Sequence, residues 1–172
     1  MSKWIPKHTH SSTGSLLDGA SSVEKIVQRH KDLGYKSVTL TEHGTLYSSV
    51  ELEKECKKNN LKTVQGCELY ISPNAKLKER ENRKLSHMVC WAKNLDGWKN
   101  LVKALNRANQ NDVFYYKPRL DLDLLSQYSA GLAACSGHCG SCISFKVFND
   151  LNSACRSKTY NDAKEFLNPN WV

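Results

Sequence analysis

The chain of 172 residues has no uninterrupted apolar stretch approaching the length that a bilayer-crossing helix needs, so membrane function is set aside. Its opening residues, MSKWIPKHTH, hold no apolar run of the secretory kind. The seven cysteines are an odd number, so a disulfide framework is not expected and a reducing, cytoplasmic setting is. No low-complexity linker and no close internal repeat divide the chain, and at this length one domain is the default. Acidic residues are in deficit: 17 Asp and Glu against 25 Lys and Arg leave a net charge of +8, which favours an anionic partner such as nucleic acid. What is present, 40% hydrophobic and 24% charged residues, is the composition of an ordinary globular domain with a core.

Hydrophobic spacing supplies the elements. Val23, Ile26, Val27 and Leu33 recur at helical intervals after the capping candidates Ser21 and Ser22, and Gly34 stops the run, so a helix is predicted over 22–33. The β-branched stretch KSVTLTEHG reads as a short buried strand ending at Gly44. The pair repeats, with SSVELEKECKKNN as helix and LKTVQGCELYIS as strand. HMVCWAK is a further strand, followed by a helix opened by Asp96 with Trp98, Leu101, Val102 and Leu105 on one stripe. GLAACSG is a last strand candidate, after the segment YYKPRLDLDLLSQYS. Alternation of this kind predicts an α/β fold with a mostly parallel sheet, because parallel strands need crossover connections.

The polar residues fall on this map at strand ends: His43 after SVTLT, Glu68 at the end of KTVQGC, His138 beyond GLAACSG. Carboxyl ends of strands are where α/β folds build their sites. The opening HTHSSTGSLLDG adds His8, His10 and Asp18. In an extended segment residues i and i+2 point to one side, so both imidazoles can reach one ion. His87 fits the scheme less well, being read at the start of its strand. Imidazole and carboxylate together suit Zn²⁺, Mn²⁺ or Fe, whereas an all-oxygen set would suggest Mg²⁺ or Ca²⁺.

HTHSSTGSLLDGA, LTEHGTLYSSVEL, GCELYIS, HMVCWAKNLDGWKNLVKALNRA, FYYKPRLDLDLL and GLAACSGHCG resemble, in order and spacing, the polymerase and histidinol phosphatase (PHP) domain that begins the bacterial DNA polymerase III alpha subunit. The resemblance runs from about residue 7 to about residue 167. It implies a distorted, TIM-like β/α barrel with up to three divalent metal ions, zinc or manganese, at the strand ends. The matching ligands are His8, His10, Asp18, His43, Glu68, His87 and His138, with Glu68 bridging two ions. His138 stands where relatives often carry cysteine, and Glu42 where an aspartate is usual. The family's closing Asp-x-His finds no match, because no histidine follows His138. Residues 1–172 are therefore expected to be a single, C-terminally incomplete PHP domain, ending in the helix-like YNDAKEFLNPNWV. They would be the front of a polymerase III alpha-like protein from a split or truncated gene, such as a phage gene, with DNA and the remainder of that protein as partners.

The implied chemistry is metal-assisted phosphoester hydrolysis, of the 3′–5′ exonuclease type if the site is completed. The rivals are a stand-alone phosphoesterase acting on a small phosphate ester and a non-catalytic module. His30 reads as structural or solvent-facing, and the cysteines Cys135, Cys139 and Cys142 as incidental thiols rather than a zinc site. The basic run from Lys76 to Lys84, interrupted by Glu79 and Glu81, reads as a solvated loop. For Tyr115, Tyr116, Lys117 and Arg119 two readings stand: a nucleic-acid contact that stacks on bases and holds phosphate, or a packed turn around Pro118.

Overall fold

A computed structural model describes residues 5–138, 140, 141 and 144. Helix α1 (Val23–Asp32) buries Val23, Ile26, Val27 and His30, and the hydroxyl of Ser22 caps it by accepting from the Lys25 N–H. His30 takes the stripe position expected of Leu33, which is 47% exposed. Its Nδ1 donates to the Ile26 carbonyl at 2.8 Å, so the ring is structural and turned away from solvent. Strand β1 (Ser37–Leu40) is buried throughout. Helix α2 (Ser49–Lys58) follows, then strand β2 (Lys62–Ile71), which pairs in parallel with β1.

Strand β3 (Ser86–Ala92) runs antiparallel to β2, with Tyr70 opposite His87 and Glu68 opposite Val89. Helix α3 (Leu95–Ala108) is capped by Asn94, whose side-chain oxygen accepts from the Gly97 N–H. Asp96, the cap expected from sequence, lies in the first turn instead. Strand β4 (Arg119–Leu120) pairs in parallel with the end of β2, helix α4 (Leu122–Ser126) follows, and strand β5 (Leu132–Cys135) pairs antiparallel with β3. The sheet order is β1-β2-β3-β5, with β4 alongside β2. The expected parallel crossover holds for β1 and β2, joined through α2, and β4, which the sequence spacing does not mark, also runs parallel to β2. The connection from β2 to β3 carries only a short 3-10 turn (Arg80–Arg83), so β3 returns alongside β2 in the opposite direction, as a strand joined without a crossover helix does.

Two cores flank the sheet. Cys67, Leu69, Ile71, Met88 and Cys90 face α3 through Leu101, Ala104, Leu105 and Ala108. Val23, Ile26 and Val27 of α1 meet Val38 and Leu40 of β1 and Leu52 and Cys56 of α2. Because strand side chains alternate, packing Cys67, Leu69 and Ile71 against α3 turns Glu68 and Tyr70 to the opposite face. None of the helices among the described residues is long and apolar enough to cross a membrane.

Candidate metal centre

Five of the six histidines converge on one carboxylate. Glu68 has no solvent exposure. Its Oε2 faces His8 Nε2 at 3.2 Å, His10 Nε2 at 3.2 Å and His43 Nδ1 at 3.0 Å. Its Oε1 faces His87 Nδ1 at 2.5 Å and His138 Nε2 at 2.7 Å. Asp18 joins through His43, whose Nε2 donates to Oδ2 at 2.8 Å. All seven residues expected as ligands therefore belong to one cluster.

Local structure explains the convergence. The amide of Thr9 donates to the Thr41 hydroxyl and its carbonyl accepts from the Thr41 amide, fixing 8–10 as an extended segment beside the end of β1, with His8 and His10 on one side. His43 follows β1 and forms a parallel bridge to Glu68. Gly44 has φ +62°, and a Cβ there would come within 2.9 Å of the Tyr70 ring and 3.0 Å of Pro118. The glycine of TEHG is thus required twice over. Glu68 lies within β2, which continues to Ile71, rather than at its end. The antiparallel course of β3 resolves the awkward position of His87: the start of β3 lies beside the end of β2.

Burial by itself pushes the Glu68 carboxyl upward, but hydrogen bonds from His10, His87 and His138 outweigh it and hold the group well below the usual carboxylate range. His10 is raised from 6.5: burial acts to lower it, and the hydrogen bond and charge of Glu68, helped by Asp18 and Glu42, prevail. The His43 hydrogen bond, followed by the charge of His10, lowers Asp18.

The donor set fits divalent metal. His8 Nε2 and His10 Nε2 lie 3.0 Å apart, as do His87 Nδ1 and His138 Nε2; two nitrogens bound tetrahedrally to one zinc would be about 3.3 Å apart. His43 Nδ1, though 3.0 Å from Glu68 Oε2, lies off the line a hydrogen bond needs and is a buried atom with no hydrogen-bond partner. Three overlapping groups place their ligand atoms within 4.8 Å of one another: His8, His10 and Glu68; His10, Asp18 and His43; His43, Glu68 and His87.

The YYKPR box divides in two. Arg119 is fully buried, and its guanidinium donates to the carbonyls of Val113 (2.8 Å), Asn82 (3.0 Å) and Leu77 (2.7 Å). As a phosphate contact Arg119 is therefore corrected: it is the anchor of a packed turn, with each of its three nitrogens donating to a carbonyl and no surface to offer. It also ties down the basic run, whose residues are otherwise mainly exposed. Tyr115 packs beside Tyr116 and under Arg119. Tyr116, with φ +61°, is 67% exposed and carries Arg83 over its ring at 4.1 Å. Lys117 is exposed and holds its ammonium 4.4 Å above the Tyr70 ring, which itself lies 5.2 Å from His87 and 6.3 Å from His43. Tyr70 was not expected at the site; its position two residues from Glu68 on the same strand face was the available signal. Cys135 is a free, exposed thiol, while Cys139, Cys142 and the helix expected near the C-terminus lie outside the described residues.

The PHP domain family matches residues 7–170, and the chain belongs to that family. Among curated relatives it is 41% identical to the DNA polymerase III subunit alpha of Chlamydia trachomatis over 136 residues, 77% of this chain and 11% of that protein. It is 33% identical to that of Helicobacter pylori over 161 residues, 92% of this chain and 13% of that protein. The chain thus spans about an eighth of the length of these relatives. A solved structure from Bifidobacterium adolescentis, described as a metal-dependent phosphoesterase, is 16% identical with a TM-score of 0.42, covering 59% of this chain and 32% of that one.

Proposed function

We propose that residues 1–172 are part of a PHP domain whose metal centre hydrolyses phosphoesters, acting on a DNA strand end in the 3′–5′ exonuclease sense within a polymerase III alpha-like protein of the cytoplasm. The observation that carries this reading is the buried Glu68 carboxylate, with three imidazoles on one oxygen and two on the other, the division expected of a carboxylate bridging two ions. His8, His10, Asp18, His43, Glu68, His87 and His138 would hold divalent ions, zinc or manganese and up to three as in the family. Bound there, such ions supply Lewis acidity toward a phosphoryl oxygen and lower the pKa of water. The chain's own contribution is to fix Glu68 and His87 on β2 and β3, to hold the other ligands on the segments beside the strand ends, and to keep the Glu68 carboxylate out of solvent. Tyr116 and Lys117 offer an exposed ring and cation to a single strand near the site rim. In family members an Asp-x-His completes the site, and the remainder of the polymerase-like protein would supply it here.

The test is release of nucleotides from a 3′-labelled single-stranded DNA, with manganese or zinc and with chelator, by wild type and by the His8→Ala, His10→Ala double variant, each with and without the remainder of the polymerase-like protein. Metal-dependent release that the double variant loses supports the proposal. Turnover of a small phosphate ester with none of DNA would favour the stand-alone phosphoesterase, and tight metal binding without hydrolysis of either substrate a non-catalytic module.

A further inference from the structure

Glu42 is 1% exposed and lies just beyond β1, inside a cradle of hydroxyls. The Ser11 amide donates to both carboxylate oxygens at 3.2 Å, and the Ser11 hydroxyl donates to Oε1. The Ser15 hydroxyl donates to Oε2 at 2.6 Å, and the Ser48 hydroxyl to Oε1 at 2.8 Å. The fit is close: a Cβ on Gly14 would come within 2.5 Å of Glu42 Cγ.

An ionised carboxylate only accepts, and a serine hydroxyl has one proton. With that proton committed to Glu42, Ser15 Oγ has only lone pairs for its other neighbours. These are the His43 amide at 3.4 Å, necessarily a donor, and His10 Nδ1 at 3.1 Å. His10 Nδ1 must therefore carry a proton. In the neutral ring this leaves Nε2 bare, and Nε2 is the atom beside Glu68 and His8. The Glu42 carboxylate is itself 3.9 Å from Nδ1, too far for a hydrogen bond, so it acts through the serine.

We propose that Glu42 is a positioning residue: through Ser15 it fixes His10 as the Nδ1–H tautomer and so presents the Nε2 lone pair to the metal centre. Outer partners of this kind hold ligand imidazoles in orientation and tautomer at metal sites generally. The role of Nε2 as a ligand rests on the metal reading above, whereas the tautomer does not.

The experiment is a long-range proton–nitrogen correlation spectrum of the ¹⁵N-labelled 172-residue chain without metal, at a pH where the imidazoles are neutral, followed by zinc titration against a competing chelator. Glu68 beside Nε2 would by itself favour a proton on that nitrogen, which makes the wild-type spectrum decisive. It should show His10 protonated on Nδ1. In Glu42→Gln the amide can donate to Ser15, freeing the serine proton for His10; in Ser15→Ala the acceptor is gone. Both variants should shift the proton to Nε2 and weaken zinc binding by about 10–100-fold. A wild-type His10 bare at Nδ1 overturns the proposal, as does zinc affinity unchanged in both folded variants. Should wild type bind no zinc while showing Nδ1–H that Glu42→Gln abolishes, the relay stands and the metal reading fails.

Discussion

Taking a carboxylate out of water costs several kcal/mol unless opposite charge and hydrogen bonds replace the solvent, and Glu68 has both from the imidazoles around it. In the metal-free chain these groups make stability depend on pH in two directions. Glu68 is lowered from 4.5, so its contribution is present above that value and is lost on acidification. His10 is raised from 6.5, so its contribution is full below 6.5 and is lost as pH rises through the folded value. Melting in the presence of chelator should therefore show a lower midpoint as pH climbs above 6.5. The increment produced by added zinc should grow over the same range, because metal and protons compete for the ligands. Arg119 and Lys117 separate just as sharply. Arg119→Ala removes a fully buried side chain and its hydrogen bonds to three carbonyls, that of Val113 among them buried, and should lower stability by about 3 kcal/mol or more. Lys117→Ala should leave the melting midpoint within about 0.5 kcal/mol equivalent and weaken single-stranded DNA binding. Thermal melts and a DNA titration of both variants check this.

At the scale of elements, α3 is held against the sheet at a point where its backbone nearly touches the turn before β5. A Cβ on Gly97 would lie 1.9 Å from the Gly131 carbonyl oxygen. Alanine in place of a helical glycine ordinarily adds about 1 kcal/mol of helix stability. Here Gly97→Ala should destabilise by about 1–3 kcal/mol, the cost of overpacking, read as a lower midpoint in denaturant. The helices and strands were legible because burial imposes their periods: α1, β1, β2, β3, α3 and β5 all lie on segments the spacing marks. Strand direction was not, since an alternating or apolar run reads the same both ways, and the placement of His87 followed only once β3 was seen to run against β2. The cap of α3 was misplaced because Asn94 and Asp96 both suit a cap by residue type, and only the contact with Gly97 separates them. The seven residues that cluster around Glu68 were marked together by the family resemblance. The cradle of Ser11, Ser15 and Ser48 around Glu42 was not, because Ser and Gly in HTHSSTGSLLDG read equally as loop.

At the scale of the whole molecule, the chain is a PHP-family domain of mixed α/β architecture, corresponding to about an eighth of the polymerase III alpha relatives that it matches. Its cluster of histidines is built by three separate pieces of chain, the opening segment, the end of β1 and the β2-β3-β5 face, so only the folded domain assembles it. The central claim is that Glu68 joins two groups of metal ligands, and elemental analysis tests it most directly. Wild type and Glu68→Gln would be incubated with zinc or manganese, freed of unbound ions by gel filtration and analysed for metal per chain. Gln keeps the shape of the side chain and removes its charge. The account predicts about two ions or more retained by wild type and at most one by Glu68→Gln. Metal-free wild type, or equal metal content in the two, would contradict it.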